Sequence, residues 1–149
     1  MTDQSTSPVV EQISRLLANS YVLYVKTHNY HWNVIGPMFS TLHMLFETQY
    51  TELALAVDEI AERIRALGAY APGSLAAFTE LATVREETGH PDAVQMIRNL
   101  LSDQEAVVAV AQNVIKAAEV AGDQASADLA TRRMDIHQKN AWMLRSHLE

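Results

Sequence analysis

The sequence predicts an all-α protein, one four-helix bundle with a long connection in its middle. Three observations predict it. Apolar residues recur at intervals of three and four through four long stretches, the spacing of a helix with one buried face. Glycine and proline are few, and all but Gly122 fall at Ser7-Pro8, Gly36-Pro37, residues 68–73 and residues 89–91, which leaves long segments between few joints. Hydrophobic content of 48% over 149 residues is that of a globular chain, large enough for a single domain with one core.

Ser7 is a hydroxyl N-cap, followed by Pro8 in the first turn of the first helix. Ile13, Leu16, Leu17, Ser20, Leu23 and Tyr24 mark one face, and the helix runs to about Val34, where Gly36-Pro37 stops it. Residues 1–6 ahead of it form a short tail with no basic residue. The second helix starts between Pro37 and Ser40 and ends at Leu67-Gly68, with apolar positions that include Leu42, Phe46, Leu53, Ile60 and Ile64. Residues 68–91 form the long connection, with a short helix over residues 74–82. Asp92 caps the third helix, which ends at about Ala121 before Gly122. Asp123 or Ser126 caps the fourth, which runs to about Leu148. Two helix pairs joined by a long crossover describe a ferritin-like four-helix bundle.

Composition excludes several chemistries. The chain has no cysteine, so disulfides, thiolate nucleophiles and cysteine metal sites are ruled out. No run approaches the roughly 18 apolar residues of a membrane span. The first residues, MTDQSTSPVVEQ, have neither a basic start nor an apolar run, so no signal peptide is expected and the expected address is the cytoplasm. The formal net charge is −7 and the first cation is Arg15, so the basic arm typical of nonspecific DNA binding is missing. An acidic chain suits cations better than phosphates.

Three sites compete. Ferritin-like di-iron bundles use a Glu-x-x-His pair on each of two helices. One such string occurs here, Glu87 to His90, and Gly89 and Pro91 place it in a connection. A nucleophilic or phosphate site finds no Gly-rich loop and no G-x-S-x-G. The remaining candidate is the long second helix. His43 and Glu47 are four apart and share a face, as do Asp58 and Glu62. Glu47 and Asp58 are eleven apart, almost three full turns, so all four fall near one stripe. That interval spans roughly 16 Å, too far for one ion to use both pairs of one chain. Two copies packed antiparallel about a two-fold axis solve the problem: His43 and Glu47 of one meet Glu62 and Asp58 of the other, in two identical sites. His31, across the Gly36-Pro37 break, closes over His43 so that the two face one metal. Imidazoles and carboxylates together suit ferrous iron, with zinc or manganese as competitors. The plain alternative is a solvated acidic face, with Glu59 and Glu62 paired to Arg63 or Arg65. On the same footing His28 is a polar surface or interface residue, and Trp32 and Tyr30 are packing residues.

The strings NYHWNVIGPMFSTLH, FETQYTELALAVDEIAERIRALG and GDQASADLATRRMDIHQKNAWMLRS resemble the Dps-type miniferritins, and together they span nearly the whole chain. The resemblance implies a hollow homo-dodecamer that oxidises Fe(II), preferably with hydrogen peroxide, and stores the ferric mineral. It implies a ferroxidase centre between two-fold-related subunits, with His31, His43 and Glu47 from one and Asp58 and Glu62 from the other. Trp32 resembles the family's aromatic residue beside that centre, where it takes up stray oxidising equivalents. Asp123 and Asp128 match the acidic three-fold pore, although a helix cap alone accounts for Asp123. Asp135, Arg132 and Arg133 are expected in interface salt bridges. The alternative within the resemblance is a structural, nucleoid-associated DNA-binding protein. The missing basic tail and the net charge of −7 argue against it.

Overall fold

The computed structural model describes residues 7–149; the tail expected at residues 1–6 lies outside them. Five helices appear in the order α1 (Pro8–Asn33), α2 (Phe39–Ala66), α3 (Leu75–Leu81), α4 (Ala93–Ala121) and α5 (Gln124–Ser146). There is no strand among the described residues. No helix among them is long and apolar enough to cross a membrane. The boundaries fall within two residues or so of those expected, the usual fraying of helix ends.

Local chemistry explains each end. Ser7 accepts from the Val10 amide and Ser74 from that of Ala77. Asp92 accepts from the Gln95 amide at 2.8 Å. Asp123, not Ser126, caps α5: its carboxylate accepts from the Ser126 amide at 3.0 Å and from the Ser126 hydroxyl at 2.6 Å. Gly122 ends α4 at φ 69°, and Gly36 turns the chain between α1 and α2 at φ 105°, both in the left-handed region that favours glycine.

The helices α1 and α2 form one antiparallel pair and α4 and α5 the other, with α1 packed on α4. Ile13, Leu16, Leu23, Leu42, Phe46, Leu53, Ile60, Ile97, Leu100 and Val107 are fully buried at the centre. Polar bridges cross from α2 to α5, where Glu52 holds Arg133, Glu59 holds Arg132, and Arg63 holds Asp123. The crossover is tied down along its length. Asn19 Oδ1 accepts from the Thr83 and Val84 amides, both at 2.9 Å, and Lys26 Nζ donates to the Arg85 carbonyl at 2.9 Å. Tyr30 donates its hydroxyl to Glu87 at 2.5 Å and accepts from Asn99 at 3.0 Å, which pins the crossover and α4 to the last turns of α1.

Candidate metal centre

The last turn of α1 and the first turns of α2 meet across the Gly36-Pro37 break, and His31 and His43 meet there. The His31 Nδ1–H donates to the His43 carbonyl at 2.7 Å, and the His43 Nδ1–H donates to the His31 carbonyl at 2.7 Å. The end of a helix leaves carbonyls without intrahelical partners, and His43 satisfies one of them. A carbonyl can only accept, so each Nδ1 carries a proton and each Nε2 of the neutral rings keeps its lone pair. A backbone carbonyl that takes the Nδ1 proton in this way fixes the ring's orientation and leaves Nε2 free for a metal.

The two rings stack at 3.8 Å between centroids and 14° between planes. Phe39 stacks on the far side of His43 at 5.1 Å, and Tyr50 meets His31 edge-on at 5.1 Å. Their position beside the histidines was not legible in the sequence, where Phe39 and Tyr50 look like ordinary helix residues. An imidazole lone pair lies in its ring plane, and two nearly parallel planes 3.8 Å apart share no nearby point. As the rings stand, one ion cannot lie on both lone pairs. That differs from the expectation that the two histidines face a single metal.

Glu47 is one turn along α2 from His43 and exposed. Asp58 and Glu62 are also exposed, on the distal half of the same helix. Among the described residues, neither of these two is ion-paired, since Glu59 goes to Arg132 and Arg63 to Asp123. Arg65 donates to the Ala69 carbonyl and lies over the Tyr70 ring at 4.7 Å. Of the pairing expected of a solvated acidic face, Glu59 pairs with Arg132 and not with Arg63 or Arg65, and Glu62 has no ion pair among the described residues. Nor, among the described residues, does one chain gather three or more histidine or acidic side chains at a point where they could hold a metal. Exposed Met44 and Leu55 lie on the face of α2 that carries Glu47, Thr48 and Thr51.

Trp32 is 63% exposed and packs on His28 at 3.9 Å between ring centroids, so it is not a packing residue of the bundle core. His28 is sandwiched by Trp32 and Tyr50, the latter at 4.2 Å. Burial and then the neighbouring His31 hold its pKa below the ordinary imidazole value. Tyr30 is a core residue, fully buried, with its hydroxyl bonded to Glu87 and Asn99. Burial first, then the bond to Glu87, raise its pKa. Glu87 is spent on Tyr30 and the Gly89 amide, which removes the one Glu-x-x-His string from consideration.

Asp123 and Asp128 both lie at the start of α5, and their charges are engaged. Burial pushes the Asp123 carboxyl up; the Ser126 bonds and the Arg63 guanidinium more than offset this and leave it below its ordinary value. Asp128 pairs with Arg132 at 3.3 Å. Arg133 departs from its expected place in an interface salt bridge. It is 2% exposed, because it lies on the α5 stripe of Leu129, Ala130, His137, Ala141 and Leu144 and spends its guanidinium inside its own chain, on Glu52 and His137. An arginine and a histidine four apart on an apolar stripe were the available signal for this buried network.

A ferritin-like domain model matches residues 10–149. A low temperature-induced protein of Nostoc sp. is 42% identical over 151 residues, covering 100% of this chain and 84% of its own length. The crystal structure of a Dps protein from Bacillus brevis superposes with a TM-score of 0.95 at 38% identity, covering 100% of both chains. A Dps protein from Vibrio cholerae O1, described as a member of a broad superfamily of ferritin-like diiron-carboxylate proteins, superposes at 0.90 with 31% identity, covering 95% of this chain and 89% of that one.

Proposed function

Because the chain belongs to the ferritin-like family, and within it to the Dps-type miniferritins, which oxidise and store iron, we propose that His31, His43 and Glu47 are one half of its ferroxidase centre and that Asp58 and Glu62 of a second copy are the other. The observation that carries this reading is the mutual lock of His31 and His43, which spends both Nδ1 atoms on backbone and presents both Nε2 atoms as ligands.

Symmetry supports the second half. His43 pairs with Glu62, and Glu47 with Asp58, about the same point between Glu52 and Leu53, so a single two-fold axis there satisfies both. The exposed apolar Met44 and Leu55 are suited to burial by the partner helix. Twelve such subunits in a hollow cage are the assembly we assign, with iron as substrate and cargo and zinc or manganese as competitors for the same ligands.

The stacked rings suit two Fe(II) ions, one on each imidazole, and the carboxylates would hold and balance their charge. Hydrogen peroxide is the oxidant that matches this count. Each of two Fe(II) gives up one electron, the O–O bond breaks, and two protons complete two waters, so no hydroxyl radical is released. Trp32, next to His31 in sequence and exposed, supplies an electron to any oxidant that escapes this balance. Asp123 and Asp128 line the route by which cations enter, weakened by their arginine partners. The cytoplasm is the address that suits this chemistry.

The test is to mix the protein with Fe(II) and peroxide without oxygen and follow ferric absorbance. The expected result is oxidation well above buffer that is lost in the His31→Ala/His43→Ala variant. A rate equal to buffer, or an unaffected variant, refutes the assignment. Diffraction from iron-loaded crystals at the iron edge then places the metal at this interface or elsewhere.

A further inference from the structure

The bundle interior carries a polar layer that the ferroxidase reading does not use. Arg133 on α5 is 2% exposed and His137 is fully buried one turn further along. The Arg133 Nη2–H donates to Glu52 Oε1 at 3.0 Å and to His137 Nε2 at 3.0 Å, while Nη1–H donates to the other Glu52 oxygen. The His137 Nδ1–H donates to Gln104 Oε1 on α4 at 2.6 Å. The guanidinium cannot accept, so the His137 Nε2 lone pair is held toward a positive charge.

Gln49 joins the same level. It precedes Glu52 by three residues on α2, and His137 follows Arg133 by four on the antiparallel α5, so both rise roughly 5 Å above the Glu52–Arg133 pair. Gln49 is 2% exposed and Gln104 is fully buried. Among the described residues, both carboxamide atoms of Gln49 and the Gln104 Nε2 have no hydrogen-bond partner. A carboxylate and an imidazole from facing helices are the groups with which helix bundles hold metal in their cores. Here both turn their lone pairs on one cationic side chain.

We infer that Arg133 is a permanent internal cation: its guanidinium fills a carboxylate–imidazole site made by Glu52 and His137 that would otherwise take a divalent metal ion, and so keeps the bundle interior closed to iron. Imidazole and carboxylate bind such an ion at about 2.0–2.2 Å, and the glutamate stem has the freedom to close from its present distance once the guanidinium is gone. The Gln49 carboxamide oxygen, without a hydrogen-bond partner among the described residues, is a further oxygen donor at that level.

The test uses the whole protein in a His31→Ala/His43→Ala background, which removes the proposed inter-subunit site, with Co²⁺ as the probe because its visible bands report coordination. Adding Arg133→Ser is expected to gain about one Co²⁺ per chain, with the intense bands of a four-coordinate site. His137→Ala on top of it abolishes the gain, and Arg133→Lys, which keeps a cation in place, shows none. A helical, assembled Arg133→Ser protein that takes up no more cobalt than its parent overturns the inference. Should Arg133→Ser fail to fold alone, recovery of helix on refolding with cobalt supports it. Failure of both Arg133→Ser and Arg133→Gln to fold even with cobalt shows that a metal cannot replace the guanidinium, and overturns it equally. The inference stands independently of the ferroxidase assignment, because the readout is metal bound within the bundle and not iron oxidation.

Discussion

His31 and His43 each donate the Nδ1 proton to the other's backbone carbonyl, at 2.7 Å in both directions. The pair therefore fixes its own tautomers and closes the α1–α2 joint with the residues proposed to bind metal. Structure and site are coupled here: replacing either histidine removes one proposed ligand and the ring stacked on the other at 3.8 Å, while the backbone carbonyl that anchors the remaining ring stays in place.

Single substitutions should thus each remove one proposed ligand and leave the other ring anchored, and the double one should cost more than either. His31→Ala or His43→Ala is expected to lower anaerobic peroxide-driven iron oxidation by roughly tenfold or more, the usual scale for loss of a ligand or its orienting partner. Iron oxidation should also weaken as pH falls from 8 to 5, because a protonated imidazole cannot ligate. Stopped-flow absorbance across that range checks both; a flat profile would count against histidine ligation.

The split of the site between two copies has a complementation test. Chains carrying His31→Ala/His43→Ala and chains carrying Asp58→Ala/Glu62→Ala are each expected to be inactive. Mixed assemblies recover about a quarter of wild-type activity, because half of random pairs are mixed and each mixed pair holds one intact site of two. No recovery in assemblies shown to be mixed would place all the ligands within one chain.

Trp32→Phe separates packing from electron donation. Trp32 is exposed in the subunit, so the variant should fold normally and oxidise iron at close to the wild-type rate. The expected change is loss of a tryptophan radical signal in electron paramagnetic resonance after excess peroxide. An unchanged signal would assign the radical to another residue.

His137 makes stability depend on pH. Burial, then the Arg133 guanidinium, hold its pKa at about 3 in the fold against an ordinary 6.5. Between those values the unfolded chain binds a proton that the folded chain does not. Its contribution is therefore fully present above about 6.5 and is lost as pH falls toward 3, with a slope of at most about 1.4 kcal/mol per pH unit. His137→Gln can still accept from Arg133 and donate to Gln104, and should flatten that part of the curve. Urea midpoints from pH 7 to pH 4 for the two proteins measure it.

Asn19 ties the crossover to α1 through two amide bonds at 2.9 Å. Asn19→Ala leaves both amides without this acceptor and should cost about 1–3 kcal/mol. Hydrogen exchange should locate the loss around Thr83 and Val84; uniform loosening of the whole bundle would contradict this role.

Helix content, the order of the elements and most of their ends were legible because they rest on local signals. Ser7, Asp92 and Gly122 act on amides and carbonyls within a few residues of themselves, and the apolar period marks a buried face without reference to what covers it. The stripe from His43 to Glu62 was legible for the same reason, since helical spacing alone puts the four side chains on one side. What periodicity cannot state is which groups meet across the fold. The same α5 stripe that marks Leu129 and Ala141 as core also carries Arg133, and only the presence of Glu52 and His137 around its guanidinium makes that burial possible. Likewise, spacing brought His31 and His43 to one joint, but their stacking at 14° and the exchange of Nδ1 protons depend on how two helix ends approach in space. A long-range contact of this kind is a property of packing, and many sequences with the same period would pack differently.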